Sequence, residues 1–299
     1  MSEISLTRGY IMKKIGFIVN MQKESAPAIA KQVVNWLIEN DMEVYLTNET
    51  ADALSFSNHG VKVDDLFSTS DCILVLGGDG TLLNTARVVA GKNIPLLGIN
   101  LGQLGFLTEL EVDKIIYGLE ELKAGHFHIE ERIMLESHVY RDGKEVGNFH
   151  ALNDIVITKG AFARMIEVAA YVDNEFLTNY PADGLIIASP TGSTAYSLSA
   201  GGPIVSPDLD IIIITPVCPH TLYARPVVIS HDQSVKVVLL SNTGEVMLTV
   251  DGQDGFPLRV KDEIIVKKSS LTTKLIKLRN RSFYDILREK LKDGSKSRG

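Results

Sequence analysis

The chain has 299 residues, room for two domains each with its own core. With 45% hydrophobic and 22% charged residues it falls among ordinary globular proteins, which excludes disordered, collagen-like and low-complexity classes. Thirty Lys and Arg against 37 Asp and Glu leave a net charge of −7, so no global field draws nucleic acid or an anionic membrane, and small molecules are the expected ligands.

Residues Met1 to Tyr10 lack the basic and apolar regions of a signal peptide, and no apolar run reaches membrane-spanning length, which points to a cytoplasmic location. Met12 is an alternative start, because strand-like sequence begins just after it. From Lys14 to about Gly125 short apolar runs alternate with helical ones. Ile15 to Val19 reads as a strand, Ile29, Val33, Val34, Leu37 and Ile38 as the apolar stripe of a helix, and Glu43 to Leu46 as the next strand. Cys72 to Leu76 and Pro95 to Ile99 show no polar alternation, as expected of parallel strands covered on both faces. Residues 13–126 are therefore expected to form an α/β domain with an open, mostly parallel sheet. Cys72 and Cys218 make no CxxC pair; both read as small buried hydrophobes, consistent with a reducing compartment.

Beyond His126 short β-branched segments follow one another: Leu135 to Tyr140, Ile155 to Thr158, Ile166 to Val172, Leu185 to Ala188, Ile211 to Thr215 and Val227 to Ile229. Val235 to Leu240, Val246 to Val250, Ile264 to Lys267 and Thr273 to Leu278 continue the pattern. Residues 127–278 thus read as an all-β, sandwich-like domain. Phe283, Ile286, Leu287 and Leu291 then lie on one face of a helix in residues 279–299, expected to pack back on the first domain.

The most informative element is Gly77-Gly78-Asp79-Gly80-Thr81, directly after the buried run ending at Leu76 and opening the helical run Leu82, Leu83, Ala86, Val89. Asp79 is thereby placed at the carboxyl end of a parallel strand, where open α/β sheets bind ligands, and the glycines let a phosphate approach a helix N-terminus. The plain alternative is a tight turn with Asp79 as helix N-cap. There is no GxxxxGK[ST] and no GxGxxG, so neither a P-loop nor a dinucleotide fingerprint is present. Five hydroxyls lie within Thr191-Gly192-Ser193-Thr194-Ala195-Tyr196-Ser197; they can serve ribose or phosphate oxygens or, alternatively, cap and turn the chain. Asn153-Asp154 pairs an amide with a carboxylate able to accept both protons of a cis-diol, or forms an Asx turn. His126 and His128 read as surface histidines rather than ligands, and no metal site is indicated.

These segments, with Gly98 to Leu107 and the run Asp183 to Pro203, resemble the NAD kinase family, and the match runs in family order from about Lys13 to Leu278. GGDGT by itself is shared with lipid kinases and phosphofructokinases; the Asp183–Pro203 run is far more specific. The resemblance implies transfer of a phosphoryl group from ATP or polyphosphate to the 2′-hydroxyl of the adenosine ribose of NAD, giving NADP. It implies Asp79 as the catalytic base and Gly78, Gly80, Thr81, Asn153, Asp154, Asp183, Thr194, Ala195, Tyr196, Ser197 and Ser199 as substrate contacts. Arg164, reaching across a subunit boundary, and Gln253 complete that set. The family's commoner pair at 153–154 is Asn-Glu, so Asp154 is one methylene short of the usual reach. Mg²⁺ bound mainly through substrate phosphates and a homodimer or homotetramer are also implied. The alternatives are a lipid kinase of the diacylglycerol type, which the acidic balance and the hydroxyl-rich loop disfavour, and a non-catalytic dinucleotide sensor.

Overall fold

The computed structural model describes residues 12–102, 105–160, 165–241, 244–278 and 282–296. Two compact units emerge: the described residues up to Glu131 together with those from Thr273 onward, and Arg132–Thr272. The divisions fall a few residues from the points where the sequence grammar changes, because residues 273–277 at the end of the last strand pair with the first unit, Leu275 lying opposite Leu96.

In the first unit the strands are β1 (Lys14–Val19), β2 (Glu43–Thr47), β3 (Gly60–Val61), β4 (Cys72–Gly77), β5 (Leu96–Asn100) and β6 (Leu110–Glu111). The helices are α1 (Ala26–Glu39), α2 (Asn48–Leu54), α3 (Val63–Thr69), α4 (Asp79–Val89) and α5 (Ile115–Ala124). The sheet order β5-β4-β1-β2-β3 is parallel throughout. The chain thus winds outward from β1 through β2 to β3, then returns to build β4 and β5 on the other side of β1. Every residue of β4 and β5 is buried, as the unalternating runs predicted. Val33, Val34 and Leu37 of α1 and Leu119 and Leu122 of α5 join Phe17, Leu74, Leu76 and Leu97 in one core. Each such side chain, fully buried, contributes roughly 1.5–3 kcal/mol before chain entropy is counted.

The C-terminal helix (Phe283–Lys296) returns to this unit. Ser282 and Asp285 bond each other's amides at its start, and the Phe283 ring lies 6.3 Å from that of Phe106. Ile286 is buried as expected, but Leu291 is exposed and takes no part in the seam. Lys277 and Glu109 form a largely buried ion pair at 3.1 Å that ties the returning chain down.

The second unit is built from β7 (His128–Arg141), β8 (Lys144–Ala151), β9 (Asp154–Lys159), β10 (Ile166–Val172), β11 (Glu175–Ala182) and β12 (Gly184–Ala188). It continues with β13 (Ile211–Val217), β14 (Val227–Ser230), β15 (Val235–Ser241), β16 (Val246–Val250), β17 (Asp254–Leu258) and β18 (Glu263–Lys277). One sheet runs β14-β13-β12-β9-β16-β17, all antiparallel; facing it, β15 pairs with β10 and β18, β10 with β11, and β7 with β8. Ile155, Ile157, Leu185, Ile187 and Leu248 of the first sheet meet Leu135, Val168, Val237 and Ile264 of the second, which makes the unit a sandwich. The outer face of β9 and β12 is covered too: Val156, Ile186 and Ala188 pack with Val205, so the segment that follows β12 lies over the sheet. In this unit three strands escaped the sequence reading, β8, β11 and β17, because their residues, largely exposed or half-buried, carry no apolar alternation. The two runs expected at 264–267 and 273–278 are one strand, β18.

Candidate active site

The carboxyl ends of β1, β4 and β5 deliver Asn20, Gly77-Gly78-Asp79 and Asn100 to one edge of the first sheet. This edge includes the place where strand order reverses, between β1 and β4, the position at which open α/β sheets hold their ligands. Asn20 donates its backbone N–H to Leu76 O at 2.9 Å and its side-chain amide to Thr81 Oγ1 at 3.2 Å, so the loop is stitched to the neighbouring strand. Asn100 is buried and accepts the Gly102 N–H at 3.0 Å.

The N-cap of α4 is Gly78, in an extended conformation; Asp79 is the first helical residue and does not cap the helix. Its carboxylate instead crosses to the segment after β5. There it accepts the N–H groups of Phe106 at 2.8 Å, Thr108 at 3.2 Å and Leu107 at 3.3 Å. Gly105 makes that approach possible, since a Cβ there would lie 1.8 Å from Asp79 Oδ1. A carboxylate offers about four acceptor positions, so three amides fix its orientation and leave it able to take one more hydroxyl. Gly80 and Thr81, the other expected contacts of this loop, follow at the exposed and half-buried start of α4.

In the second unit most of the expected contacts gather at one end of the β12-β9-β16 sheet. Asp154 opens β9 opposite Ala188, the last residue of β12. Ser189 donates its N–H to Asn153 O at 2.9 Å, and its hydroxyl to Leu152 O. Gly192 then lies flush on the strand: a Cβ would fall 2.1 Å from Asn153 O, a backbone atom that cannot swing aside. The hydroxyl-rich turn Thr191–Thr194 and the Asn153-Asp154 pair are therefore one packed structure. Thr194 is half-buried and donates to Thr191 O at 3.3 Å; Ala195 follows it, while Tyr196 and Ser199 are exposed on the next turn.

Ser197 is fully buried, and its hydroxyl bonds Thr215 Oγ1 at 3.0 Å inside the unit. Asp183 also stands apart: it precedes β12 at the strand's other end, about 17 Å from Ala188 at 3.4 Å per residue, and pairs with Lys159 at 2.8 Å. Gln253 is exposed in the β16–β17 turn, two residues from Asp251 and at the same sheet end as Asp154. Arg164 lies outside the described residues. Cys218, expected to be buried, is exposed.

Asp251 is a residue to which the sequence analysis gave no role. It accepts the amides of Leu152 at 3.1 Å, Asn153 at 2.7 Å and Asp154 at 3.1 Å, and donates its own N–H to Asp154 O. Burial, and then the Asp251 charge, push the Asp154 carboxyl up to about 7. A signal was available: Val246, Leu248 and Val250 alternate inward, which sends residue 251 to the outer face beside Asp154.

An open α/β unit with an acidic glycine loop at its switch point, joined in one chain to a sandwich that carries a packed array of hydroxyls and carboxyls, suits an enzyme that handles a phosphate-bearing ligand. The model of the ATP-NAD kinase N-terminal domain matches residues 15–127 and that of the ATP-NAD kinase C-terminal domain residues 152–278. The NAD kinase of Caldanaerobacter subterraneus is 48% identical over 94% of this chain and 99% of its own, and that of Natranaerobius thermophilus 50% over 95% and 99%. Among solved structures, yeast NADH kinase complexed with NADH superposes with a TM-score of 0.83 at 28% identity, covering 93% of this chain and 86% of the other. An NAD kinase from Archaeoglobus fulgidus in complex with ATP gives 0.72 at 25%, covering 93% and 98%. The chain belongs to the NAD kinase family, and its activity is that of an NAD kinase.

Proposed function

We propose that this enzyme moves the γ-phosphoryl group of ATP, or the terminal group of polyphosphate, to the 2′-hydroxyl of the adenosine ribose of NAD, with Asp79 as the catalytic base. The observation that carries the reading is the Asp79 carboxylate, aimed by three main-chain amides and able to accept one further hydroxyl. Phosphoryl transfer proceeds through a loose transition state, so positioning and charge stabilisation supply most of the acceleration. Asp79 orients the acceptor oxygen and takes its proton as the bond to phosphorus forms. Gly78 and Gly80 let the phosphates close on the start of α4.

Asn153, Asp154, Thr194, Ala195, Tyr196 and Ser199 are proposed to hold the dinucleotide, with Asp154 accepting ribose hydroxyls and Tyr196 offering its ring to a base. Gln253, at the same sheet end, is proposed to add an amide contact. Asp183 and Arg164 are proposed as further contacts, Arg164 from a second copy of the chain in a homodimer or homotetramer. Mg²⁺ is proposed to arrive on the triphosphate and be held mainly by its oxygens. The side-chain oxygen of Asn100, at the β5 end, suits such a hard cation. Bound there, the ion would neutralise charge on the transferring group. Among the described residues no helix is long and apolar enough to cross a membrane, and we propose that the enzyme works in the cytoplasm.

The test is to incubate the protein with NAD, Mg²⁺ and either ATP or polyphosphate and read the product with an NADP-specific dehydrogenase. NADP formed from one donor or both supports the reading and names the donor; none from either overturns it. Sedimentation that finds a fully active monomer removes the role given to Arg164.

A further inference from the structure

Two carboxylates meet at the start of β9, and the proposed reaction uses only one of them. Asp251 sits at the β16–β17 turn with φ of 50°, 9% exposed, and gathers three consecutive amides from Leu152, Asn153 and Asp154. Such convergence on one side chain is a way of fixing a short segment of backbone, since each charge-assisted bond is roughly twice as strong as a neutral one. The fixed segment carries the Asn153 carbonyl that Ser189 bonds and Gly192 packs upon, so the hydroxyl-rich turn inherits its position from Asp251.

The second consequence is electrostatic. Asp154 is only 3% exposed, and the charge that faces it comes from Asp251 across the β16 end. The β12 end opposite contributes uncharged Ala188 and Ser189, and the 191–194 turn is uncharged as well. Arg132, itself buried, brings a positive charge to that turn, donating to Thr191 Oγ1 at 3.4 Å.

We propose that Asp251 is a positioning residue for dinucleotide binding: it holds the Asn153-Asp154 pair against the Thr191–Thr194 turn, and its charge makes capture of a ribose diol at Asp154 depend on the release of one proton to solvent. This rests on the reading of Asp154 as a ribose contact. Diol capture needs the ionised carboxylate, which accepts both hydroxyl protons; the neutral acid can accept at one oxygen only and must find an acceptor for its own proton. NAD affinity accordingly rises by up to tenfold per pH unit below neutrality and levels off above it.

The experiment has one arm without ligand and one with NAD. In ¹³C-Asp-labelled enzyme, carboxyl resonances are titrated, Asp154 being assigned as the one lost in Asp154→Asn. The proposal expects a midpoint near neutrality that moves to lower pH in Asp251→Asn. In the second arm, calorimetric Kd for NAD is followed from pH 6 to 8.5, with kcat and KM alongside. The expected results are a wild-type affinity that strengthens toward pH 7, a flat profile in Asp154→Asn, and in Asp251→Asn a KM for NAD raised at least tenfold at pH 8 with kcat changed less. A merely structural Asp251 would lower the melting temperature and scale the activity equally at every pH, with the wild-type midpoint; that outcome overturns the proposal. A shifted carboxyl midpoint in an enzyme that binds NAD with no pH dependence overturns the diol contact while leaving the electrostatic coupling in place. Failure to form NADP at any pH faults the proposed reaction instead, which the ligand-free arm detects separately.

Discussion

Each unit holds one aspartate whose carboxylate gathers three main-chain amides from a segment far away in sequence: Asp79 on Phe106 to Thr108, and Asp251 on Leu152 to Asp154. The two devices look alike and differ in surroundings. Asp79 stands half-exposed at the carboxyl edge of a parallel sheet, where its remaining acceptor capacity is open to solvent. Asp251 is nearly buried at a hairpin turn, where its effect is passed on to a neighbouring carboxylate. In the proposed mechanism the same local chemistry serves as reactive group in one place and as scaffold in the other, and accessibility decides which.

If that contrast holds, the largest effect belongs to Asp79→Asn. Base catalysis is worth ~10²–10⁴-fold, and kcat should fall by at least the lower figure. One amide also loses its acceptor, at a cost of ~1–3 kcal/mol, so the melting temperature should drop by a few degrees while the protein remains folded. Turnover and calorimetry on the same preparation separate the two losses.

Two glycines give the next contrast, Gly192 packed on the Asn153 backbone and Gly105 packed on the Asp79 carboxylate. Gly192→Ala meets backbone and should raise the KM for NAD by more than tenfold with visible destabilisation. Gly105→Ala meets the end of a side chain, and should depress kcat by displacing Asp79 with a smaller change in melting temperature. Equal kinetic signatures from the two variants would erase the distinction between the units.

A smaller effect concerns pH. The folded Asp154 carboxyl keeps its proton up to about 7, whereas an unfolded one releases it near pH 4, so the folded state binds the extra proton between those values. Stability must fall as pH rises through that window, the loss being complete above about 7. Asp154→Asn, which stays neutral, should therefore melt about 5 °C above wild type at pH 8 and close to it at pH 4. The smallest change is expected from Lys159→Met, which breaks the partly exposed pair with Asp183. Such pairs are worth ~0–1 kcal/mol, and a scan should move by about 1–3 °C at most.

Much of this architecture is written in apolar periodicity. The unalternating runs at 72–76 and 95–99 marked the central parallel strands, and the strand-then-glycine grammar after Leu76 placed Asp79 at the correct edge. Strands without a buried alternation, such as β8 and β17, left no such trace. In the site, placements that follow from type and adjacency were legible: Asp79 just past the carboxyl end of β4, Asn153 with Asp154 at the start of β9, and the Thr191–Thr194 turn after β12. What depended on distant pairing was not. Nothing local tells that Ser197 turns inward to Thr215, that Asp183 lies a strand length from Asp154, or that a turn residue at 251 brackets residues almost a hundred positions earlier. The resemblance supplied the inventory of contacts, but strand register decided which of them meet.

The central claim is that Asp79 receives the proton of the adenosine 2′-hydroxyl. It is tested most directly by a crystal structure of the enzyme with NAD and a non-hydrolysable ATP analogue bound together. The account predicts the 2′-oxygen about 3 Å from an Asp79 carboxylate oxygen, in line with the γ-phosphorus. An adenosine ribose turned away from Asp79 in that loaded complex would contradict it.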